Sequence, residues 1–280
     1  MNQSPLPSQS ECFNCGTQLN GSFCHECGQR VRDNSDRSLR SVLNELFSSI
    51  FFLDNRFFIS IRFLLRCPAK MTVEFLDGKR KKFISPVALF LFFNLIFFFV
   101  SPLSDFSLSL TDQVHSQPYS KWAKKLVKQK IKEEKLDVEA YSLAYQTSSD
   151  NLSKSVMILN IPIIACFIYL ITFRKRKFYF DALIFTFHYF SLFLLSWIFM
   201  GWISFALDFT EESFGDILMD ISFSLFTFLI PFIYAILSIK KFINVNWLLA
   251  ILGGIGVFMA VIFTNLIYRF IIFLLAFCFT

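Results

Sequence analysis

Residues 182–205 read ALIFTFHYFSLFLLSWIFMGWISF, a run whose only ionisable side chain is His188. A helix needs about 20 mostly apolar residues to cross the hydrocarbon of a bilayer, and its backbone groups must be satisfied internally. The run therefore reads as a transmembrane helix. Phe83–Leu103, Ser155–Phe173 and Trp247–Tyr268 carry no charge, and Ile217–Ile239 carries one acid, Asp220, near its start. The chain has 280 residues, of which 55% are hydrophobic and 17% charged, and 30 of its 40 Phe lie in 83–103 or 155–280. Mean hydropathy is +0.54. A soluble domain carries about 25% charged residues, so aqueous globular folding of the whole chain is excluded. Disorder is excluded too, since it requires low hydrophobicity. The fold class is an all-α membrane protein with about five transmembrane helices.

Charge sets the orientation. Residues 1–82 hold 12 Lys/Arg against 8 acids, the link 174–177 is Arg-Lys-Arg-Lys, and Lys240-Lys241 follow the fourth run. The link 206–216 holds Asp208, Glu211, Glu212 and Asp216 and no base. Basic connections mark the cytoplasmic side, which predicts a multi-pass membrane protein with its N-terminus in the cytoplasm. The loop 104–154 then lies outside. Its 8 Lys are nearly balanced by 7 acids, and long loops translocate largely regardless of charge. No apolar core precedes Cys12, so no cleaved signal peptide is expected. Pro86 falls in a first helical turn, whereas Pro162 and Pro231 are interior and predict kinks. The tail 242–280 is longer than one span needs. The expectation is a fifth helix ending near Arg269, with 270–280 in the outer interface. The rival is two short passes broken near Gly253-Gly254-Ile255-Gly256 or Asn265. In loop 104–154, Trp122, Leu126, Ile131, Val138 and Tyr145 recur at helical spacing, which predicts one solvated amphipathic helix.

Ahead of the membrane runs lie residues 1–11, expected to be disordered, and a candidate metal module over 12–29. Cys12, Cys15, Cys24 and Cys27 form two Cys-x2-Cys pairs, each followed by Gly, at Gly16 and Gly28. Each pair turns two sulfurs to one point, and two pairs make a tetrahedral thiolate site for a structural Zn²⁺ ion. So short a segment buries no core, so the metal must supply its folding energy. The alternative, two disulfides, conflicts with a reducing cytosol. Residues 12–27 contain no Lys or Arg, so no nucleic-acid partner is expected.

Residues 30–82 read as an amphipathic interfacial linker. Leu39, Val42, Leu43, Leu46, Phe47 and Ile50 share one helical stripe, and 55–66 mixes Phe57, Phe58, Ile61, Leu64 and Leu65 with Arg56, Arg62 and Arg66. Such helices lie on the inner surface or pack on the bundle. Asp77-Gly78 then turns the chain into Lys79, Arg80, Lys81 and Lys82, a cluster suited to anionic lipid headgroups.

These residues carry a resemblance. Cys12–Gln29, followed by Pro68, Gly78-Lys79-Arg80 and Pro86, resembles a family of bacterial multi-pass proteins of unknown function, frequent in Bacteroidetes, that join a zinc ribbon to a membrane domain. Phe185-x-x-His188 is similar to a feature of the same family, which often has His where Asp181 stands. The resemblance implies the bacterial inner (cytoplasmic) membrane as the location, and an architecture but no chemistry.

Within the membrane, Asp181, His188 and Asn94 form a candidate polar site, because ionisable groups there are costly. Asp181 and His188 are seven residues apart, on one helix face. An interhelical hydrogen bond for His188, with Asp181 paired to Arg174 or Lys177, is the structural alternative. Asp220 and Arg269 are a candidate ion pair. No phosphate loop, Gly-x-Ser-x-Gly elbow or His-Glu-x-x-His helix occurs. Three functions stay open. One is a non-enzymatic scaffold or regulatory component whose ribbon docks a cytosolic partner or the bundle's own inner face. The others are a small transporter or channel subunit, and a membrane-embedded enzyme acting on a lipid-linked substrate.

Overall fold

A computed structural model of the chain describes residues 11–30, 55–100, 108–207 and 212–280. Of the stretch 1–11 expected to be disordered, residues 1–10 lie outside the described residues, as does the stripe over 39–50, whereas Glu11 is ordered in a bridge to Gln18.

The amphipathic stretch after Asp54 forms α1 (Asn55–Arg66), whose Phe57, Ser60 and Leu64 are buried at three- and four-residue spacing. That face packs on the bundle, with the Phe57 ring 4.5 Å from Phe92. Arg62 and Arg66 stay exposed on the other side, beside Phe58 and Leu65. Ser60 is buried because both its capacities are used. Its hydroxyl accepts the Ile84 N–H at 3.0 Å and donates to the Arg56 carbonyl at 2.7 Å. Pro68 ends the first helix, and the chain restarts as α2 (Lys70–Leu76) after Ala69 at φ 53°.

The first apolar run becomes α3 (Pro86–Val100), 15 residues long. At 1.5 Å per residue it spans about 22 Å, and residues 101–103 of the expected 83–103 lie outside the described residues. Pro86 stands at its first position, where its missing N–H costs nothing. The run opened on becomes α8 (Tyr179–Leu207). It is the buried centre: 83% of its most apolar window lies inside the molecule, against 22% for Leu218–Ile243 and 33% for the C-terminal helix. Among the described residues three helices are long and apolar enough to cross a membrane, or four if one bent pair counts as a span, against the five expected.

The bent pair corrects the second span. Helix α6 (Val138–Val156) leads through a 3-10 turn, Met157–Leu159, into α7 (Asn160–Thr172), with a bend of 54°. Pro162 is not an interior kink. It sits in the first turn of α7, and the bend lies before it, across the 3-10 turn. Pro231 lies, as expected, inside one continuous span, Leu218–Ile243. Helix α9 (Glu212–Ser224) passes through a π-turn, Leu225–Leu229, into α10 (Ile230–Ile243), with Pro231 at its start. The wider turn absorbs the N–H that proline lacks.

Asn244 then adopts φ 47° and closes α10, and the Asn246 side chain accepts the Leu249 N–H at 3.1 Å to open α11 (Trp247–Phe279). Helices α10 and α11 pack as a hairpin. A Cβ on Gly254 would lie 2.9 Å from the Ile236 Cα, and one on Gly253 2.7 Å from the Ile239 side chain. The glycines therefore make a close helix contact rather than a break.

Helix α11 overturns both expectations for the tail. It is one unbroken helix of 33 residues, about 50 Å long. Residues 270–279 are its last turns, and they form the core of a cap. The single loop helix expected in 104–154 is instead α4 (Leu110–His115), α5 (Ser120–Glu134) and α6. Leu110, Ala123, Val127, Tyr141 and Tyr145 pack there around Phe273 and Ala276. The buried stripe of α5 is Ala123 and Val127, one position along from the predicted Trp122 and Leu126, and Trp122 is 45% exposed. Phe273 outbids the indole for the interior, and Trp122 lies against its ring at 6.2 Å.

Candidate metal centre and buried histidine

The two cysteine pairs fold by one rule applied twice. In the first, the Cys12 N–H donates to the Thr17 carbonyl and the Gly16 N–H to the Cys12 carbonyl, both at 2.8 Å. In the second, the Cys24 N–H donates to Gln29 and the Gly28 N–H to Cys24, also at 2.8 Å. Gly16 (φ 79°) and Gly28 (φ 65°) hold the left-handed conformation this loop needs, which is cheap only without a Cβ. Bridges between Glu11 and Gln18 and between Phe23 and Arg30 close each knuckle, extending the predicted 12–29 module by one residue at each end.

The four sulfurs lie within 4.8 Å of one another. Cys12 and Cys27 are 3.6 Å apart, and Cys15 and Cys24 3.5 Å. A disulfide is about 2.05 Å, so these are free thiols, and the disulfide alternative is set aside. A tetrahedron of thiolates about 2.3 Å from a metal has edges of about 3.8 Å, so the donor set fits one ion. The Thr17 hydroxyl, 3.3 Å from Cys15 Sγ, and the Thr17 backbone bring that thiol down to about 6. Desolvation pushes the Cys27 thiol up to about 11.

The knuckles rest on the basic turn. The Gln29 side chain donates to the Gly78 carbonyl at 2.6 Å and accepts the Arg80 N–H at 3.3 Å. Its backbone carbonyl is meanwhile the acceptor that shapes the second knuckle. The Phe13 ring lies on Gly78, where an added Cβ would come within 2.9 Å of it, and Gly78 itself sits at φ 98°. Lys81 Nζ lies 4.0 Å from where a Gly28 Cβ would be. The four bases divide. Lys79 and Lys81 are exposed. Arg80 lies over the Phe75 ring at 4.8 Å. Lys82 pairs with Glu74 at 2.7 Å and covers the Phe63 ring at 4.3 Å.

Beneath this turn lies the buried histidine. His188 is 3% exposed and Asp181 4%. His188 Nδ1 is 2.8 Å from Thr72 Oγ1, and Phe75 meets the imidazole edge-on at 6.4 Å. Nε2 is buried without a partner. The polar partner of His188 is thus Thr72 of α2, and neither Asp181 nor the half-buried Asn94 of α3. Sequence reasoning missed Thr72, Glu74 and Gln29. Arg176, expected only as a positive-side marker, donates from Nε and Nη2 to the Phe242 carbonyl at 3.2 Å and ties the 174–177 link to α10. No ion pair joins Asp220, which is exposed, to Arg269 among the described residues.

Residues 54–98 are similar to a family described as "Protein of unknown function (DUF3667)". The matched stretch covers α1, α2, the basic turn and most of α3, and so contains Pro68, Gly78-Lys79-Arg80 and Pro86. It does not reach the four cysteines or His188. No curated protein and no solved structure matches the chain.

Proposed function

We propose that this is a non-enzymatic membrane protein, a scaffold or regulatory component, whose structural zinc ribbon is seated on the cytoplasmic face of the bundle and docks a cytosolic protein. One observation carries the reading: Gln29 shapes a metal knuckle with its backbone and holds the membrane-proximal turn with its side chain. Four thiolates close a zinc shell and leave no open position for catalysis. The ribbon's outer surface stays available, with Phe23 62% exposed. Four zinc-bound thiolates carry a formal double negative charge, and the basic turn beside them offsets it. Lys79 and Lys81 remain for anionic headgroups at the inner surface. In this reading α3 counts as a fifth, short span beside α8, and the N-terminus is cytoplasmic.

The test is purification in mild detergent with measurement of bound metal and co-purifying proteins. Zinc at stoichiometric level is expected, and a partner that is lost on deleting residues 1–30 while the helical bundle stays folded. Deletion with every partner retained would sink the docking role, and iron in place of zinc would sink the metal assignment.

A specific observation favours a second reading, a transporter or channel subunit. His188 Nε2 is buried on the central helix without a partner, a cost that a polar path would explain. Flux in liposomes, wild type against His188→Ala, decides it, and absence of flux for every ion tried would end it. No feature beyond the bases near Lys79–Lys82 favours the lipid-linked enzyme.

A further inference from the structure

Helix α5 of the cap carries six Lys in its 15 residues, and its charges are arranged against its own stability. The N-terminal end of a helix is positive, so acids favour that end and bases the other. Helix α5 is reversed. Its first turn holds Lys121 and no acid, and its only acids, Glu133 and Glu134, are its last two residues. Lys121 and Lys125, Lys124 and Lys128, and Lys128 and Lys132 each stand four residues apart, and like charges at that spacing weaken a helix. Local choices that contradict the fold are expected at functional sites.

The six lysines are not equivalent. Ala123 and Val127 face the core of the cap. Lys130 is drawn to that side: its Nζ donates to the Phe277 carbonyl at 2.9 Å and lies 4.9 Å from the Phe277 ring and 5.8 Å from the Tyr141 ring. Lys124 Nζ stands 3.4 Å from His115 Nε2. The other four, Lys121, Lys125, Lys128 and Lys132, are exposed. At about 3.6 residues per turn they fall within about 60° of one another, on the far side of the helix from Ala123 and Val127. None of the four makes an ion pair or a hydrogen bond among the described residues. Glu133 accepts from the Gln129 side chain at 2.9 Å instead. The result is a stripe of one sign, about 16 Å long and one residue wide.

Its composition selects the partner. The stripe has no apolar or aromatic side chain, which the centre of a protein interface needs. A helix that lies on a bilayer inserts its apolar face, and the apolar face of α5 is already used on Phe273 and Ala276. Helix α5 has no Arg, whose planar fork suits phosphate, and each Lys is a point charge. In the orientation proposed above, the cap lies outside the membrane. We propose that Lys121, Lys125, Lys128 and Lys132 form a docking surface for a linear acidic polysaccharide, whose carboxylates repeat along one line as the lysines do. The occupant, unlike the stripe, rests on that orientation.

The test titrates polygalacturonate onto the full chain in mild detergent at several salt concentrations, with dextran as the neutral control. Saturable binding that weakens as salt rises is expected. Lys125→Gln with Lys128→Gln should weaken it roughly tenfold or more. Folding is not at risk, since these substitutions at exposed positions remove all three like-charge pairs. Lys128→Gln with Gln129→Lys keeps the net charge but moves one charge out of the stripe, and should weaken binding severalfold. A wild type that does not bind polygalacturonate overturns the proposal. So does unchanged affinity in the charge-conserving variant, because bulk charge then suffices. Tighter binding to single-stranded DNA, or to vesicles of equal parts phosphatidylglycerol and phosphatidylethanolamine, overturns the polysaccharide as occupant. The orientation is tested separately, by treating intact cells with a membrane-impermeant amine reagent. Modification of Lys125 and Lys128 in intact cells is expected. Modification only after lysis overturns the outward placement, and the occupant with it, whatever binds in detergent.

Discussion

At one end of the bundle, residues 11–30 are tied down by two hydrogen bonds from Gln29 and by the Phe13 ring on Gly78. At the other, α4, α5 and α6 close over Phe273 and Ala276 through a shared apolar core. Within the ribbon only Cys12 and Cys24 are buried. Hydrophobic burial therefore contributes little there, and backbone hydrogen bonds around four thiols that could hold a metal ion shape the segment. The cap is built on packed rings. The two ends should consequently fail independently, each to a different insult.

The largest expected effect is metal loss. A structural zinc site is worth about 10–16 kcal/mol at neutral pH, so Cys24→Ser or a strong chelator should unfold the ribbon. Limited proteolysis should then cut within 11–30 while amide exchange in 110–145 stays slow, and exchange that accelerates in both regions would break the comparison. Next comes Phe273→Ala. It removes a ring shared by Tyr119, Trp122 and Tyr145, a change that costs about 3–5 kcal/mol. Faster exchange in the cap with unchanged metal content is expected. Gly78→Val is smaller. It forces a Cβ onto Phe13 and a left-handed backbone on a branched residue, at about 1–3 kcal/mol. It should release the ribbon without unfolding it, seen as new protease access near residue 30 with metal retained. The smallest is Glu74→Gln. The pair with Lys82 is short, but the lysine side chain is 38% exposed, so the loss should be at most about 1 kcal/mol and should shrink in high salt.

The two ends also differed in how well they could be read in advance. Cys-x2-Cys-Gly spacing encodes its own geometry, because backbone, glycine and sulfur positions are all local. Helix α1 was legible for the same reason, its 55–66 boundaries following from Pro68 and from the face carrying Phe57 and Leu64. The seating of the ribbon was not legible, since Gln29 and Gly78 are 49 residues apart and one glutamine has no pattern. The one hint was Gly78 in a turn, which marks close approach as well as tight bending. The cap was misread for a physical reason. Phe and Leu facing lipid have the same composition as Phe and Leu facing another helix, so nothing marked 270–280 as the continuation of one helix into a packed cap, and the stretch reads as a segment lying in the outer interface. Proline positions were read correctly as trouble, yet Pro162 and Pro231 displaced the irregularity to the turn before them. His188 was visible as a rare polar residue, but its partner Thr72 belongs to a short helix with no polar signature.

One consequence follows from the length of α11. At about 50 Å it exceeds a hydrocarbon core of about 30 Å, and it has no hinge anywhere along it. Hydrophobic mismatch is usually relieved by tilting. Here the cap's grip on the upper turns and the glycine contact on the lower ones, where Gly253 and Gly254 meet α10, resist any rotation that would sink the helix. The cap and the α10 contact are therefore held at a fixed distance from each other, as the two ends of one rigid strut.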